Sequence, residues 1–133
     1  MAGNPLHWPI DRYHQGLIGG DPEAVLAALG PDLFMFNGNF SGNPADWQAH
    51  LYLTGPALLR WVASFVTEAG PHANQWEFIH AHTRGQAAIV VTRETGRNRF
   101  RAWTGEVVTW LLGQRGGEWR IMGYFVRDLR NPD

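Results

Sequence analysis

The run NQWEFIHAHTRGQAAIVVTRETGRNRFRAWTGEVVTWLLGQRGGEWRIMGYFVRD, residues 74–128, decides the fold. It is rich in aromatic and β-branched residues and is punctuated by Arg84-Gly85, Gly96-Arg97-Asn98 and Gly116-Gly117. That punctuation predicts four strands, at about Gln75 to Thr83, Gln86 to Arg93, Arg99 to Leu112 and Trp119 to Asp128. Sequential strands joined by turns this short form an antiparallel meander. Ala87 to Val91 is apolar on both faces, so one face meets helices and the other a second layer or a partner chain.

Ahead of the meander the period lengthens to that of helices. Pro9 suits a first helical turn, Ile10, Tyr13 and Leu17 fall on one face, and Gly19-Gly20 stops the helix. Asp21 reads as the N-cap of a short second helix carrying Val25, Leu26 and Leu29, which ends at Gly30-Pro31. Leu33 to Asn37 reads as a strand, Gly38 to Ala49 as a loop, and His50 to Leu53 as a brief returning strand. Thr54 caps a third helix, whose apolar face is Leu58, Trp61, Val62, Phe65 and Val66 and which ends at Gly70-Pro71.

The composition narrows the function. The chain has 133 residues, one domain's worth, with 44% hydrophobic and 17% charged residues. The formal net charge of −1 argues against a nucleic-acid binder. There is no cysteine, which removes disulfides, thiol nucleophiles and thiolate metal sites. All 11 basic residues are arginine, so lysine Schiff-base chemistry is also out. Ser41 and Ser64, the only serines, lie in no nucleophile elbow. No apolar run reaches the ~20 residues of a membrane span, and Met1 to Ile10 lacks a signal-peptide pattern. The expectation is a cytoplasmic protein that meets neither membrane nor nucleic acid. Seventeen aromatic residues exceed the needs of a small core and point to a pocket or an interface.

The order helix, helix, strand, short strand, helix, four-strand meander resembles the nuclear transport factor 2-like superfamily, which includes ketosteroid isomerases and SnoaL-like proteins. The landmarks are Asp11-Arg12-Tyr13, Gly20-Asp21-Pro22, Leu53-Thr54-Gly55-Pro56-Ala57-Leu58-Leu59 and Gly117-Glu118-Trp119-Arg120-Ile121. The resemblance implies an α+β fold over residues 1–133: a curved, mostly antiparallel sheet wrapped around three helices, forming a cone with a pocket. It also implies a homodimer through the outer sheet face.

Carried over residue by residue, the isomerase pattern is mostly lost. Tyr13 matches the oxyanion-stabilising tyrosine. Asn37 stands at the position of the aspartate base and cannot abstract a proton. Val108 stands at the second oxyanion donor, with Glu106 one step along the same strand face. The resemblance leaves Tyr13 and Glu106 as candidate catalytic groups. Phe34, Asn37, Trp47, His50, Trp61, Val108, Trp110 and Tyr124 are the candidate substrate-binding residues, and Phe36 is a further candidate pocket wall.

No cofactor and no metal are expected. His80 and His82 share a strand face at a legitimate ligand spacing, with His50 as a conceivable third ligand, but no carboxylate is spaced to join them. Arg97, Arg99 and Arg101 read as one strand face joined by Arg93, either an anion seat or a solvated edge that discourages strand pairing. The Gly38 to Ala49 loop, with Trp47, reads as a lid or as a packed surface excursion. Two functions stand. One is a cone binding a small apolar carbonyl or hydroxyl compound, with cofactor-free isomerase, dehydratase or cyclase chemistry. The other is a non-catalytic dimeric binding or assembly module.

Overall fold

A computed structural model describes the backbone of residues 4–36 and 51–127. Helix α1 (Trp8–Gly19) starts on Pro9 and ends where Gly20, at φ 64°, turns its N–H back to the carbonyls of Gly16 and Leu17. Asp21 caps α2 (Pro22–Ala28), its carboxylate accepting from the Glu23 and Ala24 amides at 3.1 and 3.3 Å. The helices pack closely at Gly16, where a Cβ would lie 2.9 Å from the Val25 backbone nitrogen.

Strand β1 (Leu29–Phe36) follows α2 directly. Gly30-Pro31 therefore lies inside this strand rather than in a break after the helix. Neither residue has a paired partner, because the register with the neighbouring strand shifts between Leu29 and Phe34. The missing N–H of Pro31 falls where the ladder has no bond to make. Strand β2 (Leu51–Thr54) leads into α3 (Gly55–Ala69), with Thr54 at the N-cap position but without a side-chain cap bond.

The meander is β3 (Ala73–Arg84), β4 (Ala87–Arg97), β5 (Ala102–Arg115) and β6 (Glu118–Arg127). Six strands make one sheet in the order β2-β1-β6-β5-β4-β3, antiparallel except for the β1–β6 pair. The Gly116-Gly117 turn puts both residues at positive φ, 62° and 80°, which glycine adopts without strain. Gly96 is not a turn residue. It lies inside β4, which runs on to Arg97, and pairs with Asn74 of β3; a Cβ there would collide with Asn74 Oδ1 and approach Trp103 Cζ2 to 2.7 Å. The turn falls instead at Asn98–Arg101, where Asn98 Oδ1 accepts from the Phe100 and Arg101 amides at 2.8 and 3.1 Å. Arg97, Arg99 and Arg101 therefore do not share a strand face.

Three further register shifts, all within the meander, bend the sheet and decide which side chains face the helices. The first lies between Phe78 and His80, so Phe78 and Ala81 both pack on the core. His80 and His82, which an unbroken strand would carry inward with Phe78, are exposed on the outer face beside Val91 and Ile89. The second lies between Glu94 and Gly96, opposite Gly105 at φ 64°, and brings both Trp103 and Glu106 inside. The third, at Leu111/Leu112, turns both Ile121 and Tyr124 inward. The result is an α+β cone whose core joins Ile10, Leu17, Val62, Leu33, Val90, Trp110 and Ile121. Among the described residues no helix is long and apolar enough to cross a membrane.

Candidate functional site

The cone encloses a cavity of about 300 Å³ between α1, the end of α3 and the inner face of β3–β6. That is roughly ten water molecules' worth of space. Aromatic rings dominate its wall: Tyr13, Phe65, Phe100, Trp103, Trp110 and Tyr124. A larger groove of about 970 Å³ runs along α2, α3 and the β5–β6 turn, but its Arg115, Glu118 and Arg120 are exposed. The smaller cavity gathers the buried titratable groups, which makes it the candidate site.

Two carboxylates face each other across the β4–β5 ladder, because Glu94 is the register partner of Glu106. Both are buried, at 6% and 4% exposure. Like charges placed directly opposite each other destabilise a sheet unless each has its own partner. Glu106 takes the Arg101 guanidinium on both oxygens, at 2.6 and 3.3 Å. That guanidinium also lies 4.6 Å over the Trp103 ring. Glu94 Oε2 takes the His14 Nε2 at 3.0 Å and the Thr92 hydroxyl at 2.6 Å. Glu94 Oε1 has no hydrogen-bond partner among the described residues and belongs to a cavity-lining side chain.

His14 is held from every side. Its ring stacks on Trp76 at 4.5 Å, and its Nδ1 lies 3.2 Å from Asn74 Nδ2. Trp76 is tied in turn to α1 by its indole N–H, 2.7 Å from Asp11 Oδ1. With the Asn74 amide N–H2 donating to Nδ1, the remaining ring proton sits on Nε2 and points at Glu94.

Beyond this pair stand two phenols, Tyr13 and Tyr124, with their oxygens 3.4 Å apart. Burial, reinforced by the Glu94 charge, pushes Tyr13 up to about 12 despite its bond to Tyr124. Burial and then the charge and hydrogen bond of Tyr13 raise Tyr124 as well. Both remain protonated at neutral pH, and one of the two protons lies in the hydrogen bond between them.

His72, also buried, lines the same cavity. Its Nδ1 donates to the Gly70 carbonyl at 3.2 Å, and its Nε2 accepts from Asn98 Nδ2 at 3.0 Å. Burial lowers its proton affinity most, the Gly70 bond opposes this, and His14 and Arg101 lower it further. In the unfolded chain His72 titrates near its ordinary 6.5, so stability is present above that pH and declines as pH falls towards the lower folded value. Denaturation midpoints measured at pH 7 and pH 5 are expected to drop on acidification, and to drop less in a His72→Gln variant.

Of the residues singled out from the sequence, Tyr13, Glu106, Val108, Trp110 and Tyr124 line this one cavity. Trp61 does not line it. It is half-buried on α3 and stacks on Phe65, whose ring does, at 5.2 Å. Asn37, Trp47, His50, the Gly38 to Ala49 loop and the Phe34 and Phe36 side chains lie outside the described residues. Glu106 faces inward, but Arg101 occupies both of its oxygens, so the cavity-lining carboxylate with an oxygen unpartnered among the described residues is Glu94 instead. Sequence reading missed Glu94 and His14, although a signal existed for each. Glu94 continues the face of Ala88, Val90 and Thr92, and His14 lies on the α1 face of Ile10 and Leu17. Among the described residues no three His, Asp or Glu side chains gather as a metal site.

The fold is that of the nuclear transport factor 2-like superfamily. A nuclear transport factor 2-like protein of unknown function from Pseudomonas putida matches over 92% of this chain and 82% of its own, at 15% identity and a TM-score of 0.67. A ketosteroid isomerase-like protein from Erwinia carotovora matches over 95% and 94%, at 20% identity and 0.64. An uncharacterized protein with a cystatin-like fold from Caulobacter vibrioides matches over 97% and 89%, at 16% identity and 0.70. The chain matches no family model and no curated protein.

Proposed function

We propose that the cone binds a small, partly apolar carbonyl or hydroxyl compound and moves a proton on it without a cofactor. Glu94 is the base in this reading. The observation that carries it is the free Glu94 Oε1 in the cavity wall, with Oε2 fixed behind it by His14 and Thr92. A carboxylate held this way keeps one oxygen for substrate, and geometry of this kind is what general base catalysis requires. Tyr13, which accepts from the Tyr124 hydroxyl, keeps its own proton to donate to a substrate oxygen that gains charge, in the manner of an oxyanion hole. The aromatic walls favour a ring-bearing substrate. Isomerisation, dehydration and cyclisation all fit one base facing a neutral donor.

The reading is tested by filling the cavity. Val108 is 3% exposed and lines it, so Val108→Phe adds a ring to the space with no polar group removed. Native mass spectrometry of wild-type protein is expected to release a co-purifying small molecule that the folded variant lacks. Equal occupancy in the two proteins removes the cavity from consideration.

The non-catalytic alternative draws on the outer sheet face, where Ile79 and Ile89 are 45% and 43% exposed beside half-buried Val91, Val107 and Leu111. A homodimer through this face remains part of the proposal, and it is compatible with a working cavity because the two faces are separate. Sedimentation at micromolar concentration is expected to give a dimer that Ile89→Arg dissociates. A monomeric wild type ends this part of the proposal.

A further inference from the structure

Behind Glu94 lies a chain of donors whose direction the atoms themselves dictate. An indole N–H can only donate. Trp110 Nε1 lies 2.9 Å from Thr92 Oγ1, so Thr92 accepts there. The single hydroxyl proton of Thr92 is then directed to Glu94 Oε2 at 2.6 Å. Thr92 is 0% exposed and Trp110 1%, which leaves the hydroxyl no water to turn to. Oε2 therefore receives two donors, Thr92 O–H and His14 N–H, while Oε1 receives none among the described residues.

We infer that Thr92, aimed by Trp110, is a positioning residue for Glu94: it ties Oε2 into the wall, holds Oε1 towards the cavity and favours the charged carboxylate. The inference rests on the reading of Glu94 as the base. Groups from several described elements surround this carboxylate. Tyr13 and His14 come from α1, Asn74 and Trp76 from β3, Glu106 with its Arg101 from β5 and the preceding turn, and Tyr124 from β6. Of these groups His14 alone bonds Glu94 directly, so Thr92 supplies one of the two donors it has among the described residues.

The test is a pH titration of the Glu94 carboxyl by carbon-13 NMR in wild type, Thr92→Val and Thr92→Ser, with the Trp110 indole N–H as reporter of the relay. Valine matches the shape of threonine and deletes only the hydroxyl. Loss of one bond to a charged group is expected to move protonation of Glu94 up by about one pH unit, and serine is expected to restore wild-type behaviour. A titration unchanged in Thr92→Val, with the indole resonance displaced, overturns the inference. Should Thr92→Val fail to fold, Trp110→Phe frees the same hydroxyl while keeping a ring. An upward shift there supports the relay, and an unchanged titration overturns it. Failure of the base reading looks different. The Thr92→Val shift would then be present, while Glu94→Gln left proton transfer to substrate intact.

Discussion

Replacing His14 with leucine is expected to cost about 3 kcal/mol of stability at neutral pH, several times what an average hydrogen bond contributes. Glu94 is 6% exposed and its register partner is another carboxylate, Glu106. Arg101 is committed to Glu106 through both oxygens and is unable to serve Glu94 as well without giving one up. Removing the imidazole therefore leaves a buried charge with Thr92 as its only donor among the described residues. The Asn74 amide loses its acceptor in the same step, and Trp76 loses its stacked ring. Urea titrations of the two proteins at pH 7 measure the deficit, and the same comparison made in a Glu94→Gln background, where the charge is absent, identifies its cause. A deficit that is the same in the Glu94→Gln background would trace the loss to packing rather than to charge.

How much of this was legible beforehand follows from where the sheet breaks its own period. Helix stops at Gly20 and Gly70, the Asp21 cap and the glycine turns are local signals, and each is written within a few residues of where it acts. The bulges are not local. A two-residue alternation carries His80 and His82 along with Phe78, and one extra residue near Ile79 sends both outward. Likewise Trp103 and Glu106 come to share the inner face only because Gly105 takes a positive φ opposite Thr95, whose hydroxyl accepts its N–H at 3.0 Å. Glu106 shares the face of Val108, as the two-residue alternation predicts, because no shift intervenes between them. Its pairing with Arg101 depended on a turn at Asn98, built by a side chain reaching its own backbone, which a glycine at 96 disguised. His14 and Glu94 are 80 residues apart, and their contact exists only once α1 lies across β3 and β4.

The central claim is that Glu94 Oε1 accepts a proton from a molecule in the cone. It is tested most directly by following solvent deuterium into the α-positions of a panel of small cyclic and aryl ketones, with wild type and Glu94→Gln compared side by side. Glutamine keeps the size of the side chain, and its carbonyl oxygen still receives Thr92 and His14, while an N–H2 replaces the acceptor that faced the cavity. The fold is expected to survive. With at least one ketone, exchange catalysed by wild type is expected to exceed that of the variant by about 100-fold or more, the usual contribution of a positioned base. Equal exchange in both proteins, with both folded, would contradict the account and leave the cavity as a binding site without proton chemistry.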